Sequence, residues 1–239
     1  MDKILTTFGG ELTQYQNPGK NDLFTVVKEK ELEDDEKRTF NTLVAKLLYL
    51  AKRARPDFIM VISFLRLWVK APTIDDWRKL EHLLGCLKRT RNRLLVLKPQ
   101  RIFNIEAYVD ASFVTHMDGK SHTGIFIKVG EVGVFFASRK QKCVTKSPTK
   151  AELVALSDNV GFVELFHKFL TFILNCSIEM LTVYQDNTSV ISLVTLGGGK
   201  VRAKHLRTRM FLVMEAIKEK KLRVKYVHTY EHRWINQDT

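Results

Sequence analysis

The sequence predicts an α/β domain built on a mixed five-stranded sheet with flanking helices, preceded by a small helical subdomain. Three observations predict it. Apolar residues recur with a helical period from Arg38 to about Arg91. Three β-rich runs broken by glycine-containing turns follow, from Ile102 to Ser138. Beyond Ser147 helical and strand-like segments alternate, the pattern of helices packed on the faces of a sheet.

Residues 1–37 carry Gly9-Gly10, Asn17-Pro18-Gly19 and an acidic run, and show little periodicity. They read as an irregular, acidic linker. Phe40, Leu43, Val44, Leu47 and Leu48 then mark a helix face that ends at Pro56. A second helix is expected from Pro56 to Val69, with proline at its first position. Thr73-Ile74-Asp75-Asp76 has the form of a capping box and opens a third helix. The helical subdomain is taken as 38–98 and the sheet domain as 99–239. In the latter, strands are expected over Ile102–Val109, Thr123–Val129 and Val132–Ser138. Ser147-Pro148 starts a long helix that runs to Leu174. A strand (Met180–Tyr184), two helices (near Asn187–Leu196 and Lys204–Lys218) and a last strand (Leu222–Val227) complete the order. Phe162, Phe166, Phe169 and Phe172 recur on the long helix and are read as core.

Lysine and arginine number 39 against 26 acids, a net charge of +13. Glu29 to Glu36 holds six of those acids, so the rest of the chain is more basic than the total. Such a balance makes a polyanion, most often nucleic acid, the default partner. No apolar run reaches the roughly 18 residues of a membrane span, and the first residues lack a signal-peptide core. Three widely spaced cysteines, with no Cys-x-x-Cys pair, argue against a disulfide framework or a zinc site and fit a reducing compartment.

Three acids fall where the pattern places element boundaries. Asp110 lies at the end of the first strand, Glu152 in the first turns of the long helix, and Asp186 directly after the fourth strand. If the first and fourth strands are parallel neighbours, their C-terminal ends coincide, and a helix across them can bring Glu152 to the same point. Clustered carboxylates repel one another unless cations bind between them. Hard oxygen ligands select magnesium or manganese, and two such ions suit phosphodiester cleavage. Singly, each acid is equally an ordinary strand-end or helix-start residue.

With these residues in place the chain resembles the C-terminal part of the Pol polyprotein of copia-type retrotransposons: the end of the reverse transcriptase region and its ribonuclease H domain. The resemblance runs from about Phe40 to Thr229. It rests on Val44 to Leu50, Arg55-Pro56-Asp57, Tyr108-Val109-Asp110-Ala111-Ser112 and Lys120-Ser121-His122-Thr123-Gly124. Ser138 with Lys140-Gln141-Lys142, Ala151-Glu152-Leu153, Gln185-Asp186-Asn187 and Ala203-Lys204-His205 continue it. It implies a ribonuclease H-like fold and hydrolysis of the RNA strand of RNA–DNA hybrids with two Mg2+ ions, for which Mn2+ can substitute. Asp110, Glu152 and Asp186 match the family's metal-binding acids. An ungapped match puts Ile235 at the fourth; a small insertion makes it Asp238. The family context also implies upstream reverse transcriptase domains as partners, and a cytoplasmic particle or the nucleus as the location, with no membrane.

The chain departs from the family at Lys150, where an acid is usual, and in the basic stretch Leu206-Arg207-Thr208-Arg209. These changes keep a second reading open, a catalytically inactive nucleic-acid-binding fragment of a degenerate element. No Tyr-x-Asp-Asp polymerase motif is present, and the Asp, Glu, Asp order differs from the Asp, Asp, Glu of integrases. Lys140, Lys142, Lys204, His205, Arg207 and Arg209 are candidates to track phosphates, or simply a solvated basic face. Ser112, Ser138, Gln141, Asn187 and Thr188 are candidates to meet a minor groove, where 2′-hydroxyls separate RNA from DNA.

Overall fold

The computed structural model describes residues 1–93, 95–97, 104–175, 178–197 and 204–228. They form two compact units that divide after Leu95. No helix among these residues is long and apolar enough to cross a membrane.

The N-terminal unit is helical. It contains α1 (Asp2–Phe8), α2 (Asp34–Ala51), a 3-10 turn (Pro56–Phe58) running into α3 (Ile59–Leu65), and α4 (Ile74–Arg89). Helix α2 starts four residues before Arg38 because the acidic run builds its first turn. Glu33 N–H donates to Glu36 Oε2 at 3.2 Å, and Asp34, Asp35 and Glu36 place negative charge where the helix dipole favours it. Helix α3 stops at Leu65, short of Val69. Thr73 caps α4 as expected: its N–H donates to Asp76 Oδ2 at 2.9 Å, and its Oγ1 accepts the Asp76 N–H at 3.4 Å. Phe40, Leu43, Leu47, Ile62, Leu83 and Leu87 lie at the centre of the core.

Residues 1–37 are not the irregular linker their composition suggests. Asp2–Phe8 is helical, and Ile4 and Leu23 are buried in the same core as α2, α3 and α4. The Thr13 carbonyl crosses α4 so closely at Gly85 that a Cβ there would lie 2.0 Å away. Only glycine leaves room for that crossing. Isolated apolar residues in polar sequence have no period, so this burial carries no periodic signal.

The C-terminal unit holds β1 (Ile105–Ser112), β2 (Lys120–Val129), β3 (Val132–Val144), α5 (Pro148–Leu174), β4 (Leu181–Gln185), α6 (Thr188–Leu196), α7 (Lys204–Lys218) and β5 (Leu222–Tyr226). The sheet order is β3-β2-β1-β4-β5. β1–β2 and β2–β3 are antiparallel, while β1–β4 and β4–β5 are parallel. This is the mixed five-stranded sheet with flanking helices that the sequence predicts. Ile105, Ala107 and Val109 alternate into the core on β1. Ala151 to Ser157, Asn159, Val160 and Val163 bury the first half of α5. Its second half departs from expectation. Phe162 and Phe166 pack on the core, but Phe169 and Phe172 are exposed, at 54% and 84%. The apolar repeat runs on past the point where the sheet covers the helix.

Candidate metal centre

The parallel pairing of β1 and β4 sets the site. Tyr108 is in register with Tyr184, and their rings stack with centroids 4.8 Å apart. Asp110 and Asp186 each lie two residues beyond that pair, so both carboxylates leave the sheet at one level. Glu152 arrives from α5. Ser147 caps that helix by accepting the Lys150 N–H at 3.4 Å, and Pro148 takes its first position. Buried Gln141 then ties the helix start to the sheet, with Nε2 donating to Thr123 Oγ1 and to the Ala151 carbonyl, each at 3.0 Å.

Asp110, Glu152 and Asp186 each offer an oxygen, and these three atoms lie within 4.8 Å of one another. Asp110 is exposed, Asp186 half-buried and Glu152 buried. Glu152 is gripped on both oxygens. Oε1 accepts the Ala111 N–H and Oε2 accepts Gln185 Nε2, each at 3.1 Å. Burial first, then the charges of Asp110 and Asp186, push its carboxyl up to about 9, although both donated hydrogen bonds oppose the rise. A cluster whose buried member resists ionisation in this way is matched to an added positive charge. The donor set, all carboxylate oxygen, fits a hard divalent ion such as Mg2+ or Mn2+.

The other candidates separate. Lys142, Lys204, His205, Arg207, Ser112 and Thr188 are exposed. Lys140 pairs with Asp118 at 2.9 Å, and Arg209 pairs with Asp158 and donates to Ser157 Oγ at 2.9 Å. Asn187 caps α6 by accepting the Val190 N–H at 3.1 Å. Gln141 needs correction: it is 4% exposed and holds α5, because its side chain points into the unit and not toward solvent. Asp238 lies outside the described residues. The motifs contained Gln185 and His122 without a role, and left out His116, which is buried against His122. Gln185 was legible only as the neighbour of Asp186.

No family model matches the chain. It is 26% identical over 193 residues to the retrovirus-related Pol polyprotein from transposon RE2 of Arabidopsis thaliana, which covers 80% of this chain and 13% of that protein. It is 25% identical over 194 residues to the corresponding polyprotein from transposon TNT 1-94 of Nicotiana tabacum, covering 81% and 14%. The chain thus spans about an eighth to a seventh of these curated relatives. Among solved structures it is similar to LC11-RNase H1, isolated from compost by a metagenomic approach. There the TM-score is 0.43 at 16% identity, over 54% of this chain and 88% of that one. Over four fifths of its length, the chain is a homologue of the retrovirus-related Pol polyproteins of plant transposons.

Proposed function

We propose that the C-terminal unit is a divalent-metal-dependent ribonuclease H that cleaves the RNA strand of RNA–DNA hybrids, as the nuclease part of a copia-type Pol. The observation that carries this reading is the convergence of Asp110, Glu152 and Asp186 within 4.8 Å at the shared end of two parallel strands. Homology to transposon Pol polyproteins supports it.

Asp110, Glu152 and Asp186 would hold Mg2+, or Mn2+ in its place, with Asp238 as a fourth ligand. Bound divalent ions supply an activated water and stabilise the departing 3′ oxygen in such hydrolysis. The protein's own residues prepare the site. Ala111 N–H and Gln185 fix Glu152, while the stacked Tyr108 and Tyr184 hold β1 and β4 in register. Lys142, Lys204, His205 and Arg207 offer exposed positive or hydrogen-bonding groups for phosphates, and Ser112 and Thr188 offer exposed hydroxyls. The helical unit would be the end of a reverse transcriptase region, with further polymerase domains upstream in a longer polyprotein.

The test is cleavage of an end-labelled RNA–DNA hybrid in Mg2+ and in Mn2+, with Asp110→Asn alongside. RNA-strand cleavage lost in the variant supports the proposal. Equal cleavage by both proteins removes the assignment of Asp110. Salt-sensitive hybrid binding without cleavage under either ion replaces it with the inactive-binder reading.

A further inference from the structure

His116 and His122 are buried side by side and end on a serine. His116 Nε2 lies 2.9 Å from His122 Nδ1, and His122 Nε2 lies 2.6 Å from Ser138 Oγ. Strand register fixes where this chain of groups emerges. Asp110 pairs with Gly124, and Gly124 pairs with Ser138. Directly paired residues share a sheet face. Ser138 therefore stands in one row with Asp110, two strand spacings or roughly 9–10 Å away. Gly124 between them adds no side chain to the row. Ser138 is half-buried, while both histidines are under a tenth exposed.

Burial holds both imidazoles toward the neutral form, His122 down to about 3 and His116 below its ordinary value. A neutral imidazole has one donor nitrogen and one acceptor nitrogen. Two such rings in line transmit one hydrogen-bond polarity to the serine, in either of two senses. In the first, His122 donates to Ser138 Oγ, and the serine O–H is left to donate outward. In the second, the serine donates inward and presents lone pairs. Concerted reversal lets one fixed hydroxyl meet either a donor or an acceptor. A ribose 2′-hydroxyl is both, whereas a deoxyribose carbon is neither.

We infer that Ser138, aimed by the positioning residues His122 and His116, reads the 2′-hydroxyl of one RNA nucleotide beside the carboxylate cluster. The inference rests on the proposed hybrid substrate and assigns part of its strand discrimination to a single hydroxyl.

The test uses the full chain and a panel of hybrids, each with one 2′-deoxy substitution at successive positions of the RNA strand. Affinity is measured without divalent ion, so that cleavage is not needed. The wild type should lose roughly three- to tenfold in affinity at one position, the value of one hydrogen bond. Ser138→Ala should show that loss already with the all-RNA strand and be indifferent to deoxy substitution there. Ser138→Thr, which keeps the hydroxyl, should restore the position dependence. His122→Phe, with its melting curve as the folding check, should behave as Ser138→Ala. Identical position profiles for wild type and Ser138→Ala overturn the inference while leaving the substrate reading intact. Failure of the wild type to prefer hybrid over duplex DNA, together with no cleavage, overturns both.

Discussion

Gln185 joins the carboxylate of Glu152 to the backbone of Asp186: its Nε2 donates to Glu152 Oε2 at 3.1 Å, while its Oε1 accepts the backbone N–H of Asp186 at 2.8 Å. One buried amide thus fixes a side chain from α5 against the backbone that carries the next acid. Groups that orient metal-binding residues in this way typically contribute 10- to 100-fold to metal affinity or activity. Gln185→Ala is therefore expected to raise the Mg2+ concentration for half-maximal hybrid cleavage by about 10-fold or more, with little change in hybrid affinity. A metal titration of both proteins checks it. An unchanged titration would make Gln185 a packing residue only.

With no cation bound, burial and the charges of Asp110 and Asp186 keep the Glu152 carboxyl protonated up to about pH 9, and ionising it is costly. Asp110 is the leading charge acting on buried Glu152, so removing it relieves the buried acid. Above about pH 9, where Glu152 ionises, Asp110→Asn is expected to raise metal-free stability by about 1 kcal/mol, the worth of roughly one pKa unit; at neutral pH, where Glu152 keeps its proton, the gain should be smaller. Saturating Mg2+ should stabilise the wild type by mass action and the variant much less. Thermal melts in EDTA and in Mg2+ read both effects. A variant less stable than the wild type in EDTA contradicts the repulsion argument.

In the helical unit Arg55 is 1% exposed. Its guanidinium donates to Asp57 Oδ1 at 3.0 Å and Oδ2 at 2.7 Å, and to the Thr90 carbonyl and Oγ1 at 3.1 and 2.7 Å. It also lies 3.9 Å from the Phe58 ring centroid. Removing one partner of a buried pair leaves an uncompensated charge, which costs more than removing both. Asp57→Asn should destabilise by about 2–3 kcal/mol, less than the full penalty because Thr90 still accepts from the arginine. Adding Arg55→Met should recover part of that loss. Urea denaturation of the single and double variants gives the comparison; a double variant weaker than the single would contradict it.

What the sequence reveals of this protein follows from how local the signals are. Ser147-Pro148 and Thr73 announce helix starts because a cap is made within four residues. Asp110, Glu152 and Asp186 are legible because each lies near the end of an element whose type is set by its own period. The direction of Gln141 is not legible. Between β2 and β3 the register shifts, with Lys120 opposite Val144 but His122 opposite Lys140. A two-residue shift leaves the alternation of faces intact, so Gln141 faces the core with Phe135, Ala137 and Cys143; the run 138–142 is all polar, so no apolar residue marks that face. Arg209 and Asp158 are 51 residues apart, so their pairing exists only once α7 has packed on α5. The exposure of Phe169 and Phe172 likewise depends on how far the sheet reaches along α5, which no period within the helix records.

That difference between free and paired cations has a measurable consequence. Non-specific affinity for a nucleic acid falls with salt, by a slope of about 0.9 for each phosphate neutralised on a B-form duplex. Lys142 is exposed on β3 and Lys204 is exposed at the start of α7, whereas Arg209 is paired with Asp158. A cation that already holds a carboxylate must give up that pair before it can displace a counterion. Lys142→Ala and Lys204→Ala should each lower the salt slope of hybrid binding by about 0.9, and Arg209→Ala should lower it much less. The measurement is affinity across a salt series for the three variants. If Arg209→Ala changes the slope as much as the lysine variants do, its pairing with Asp158 does not survive binding, and the phosphate track extends along α7 to that residue.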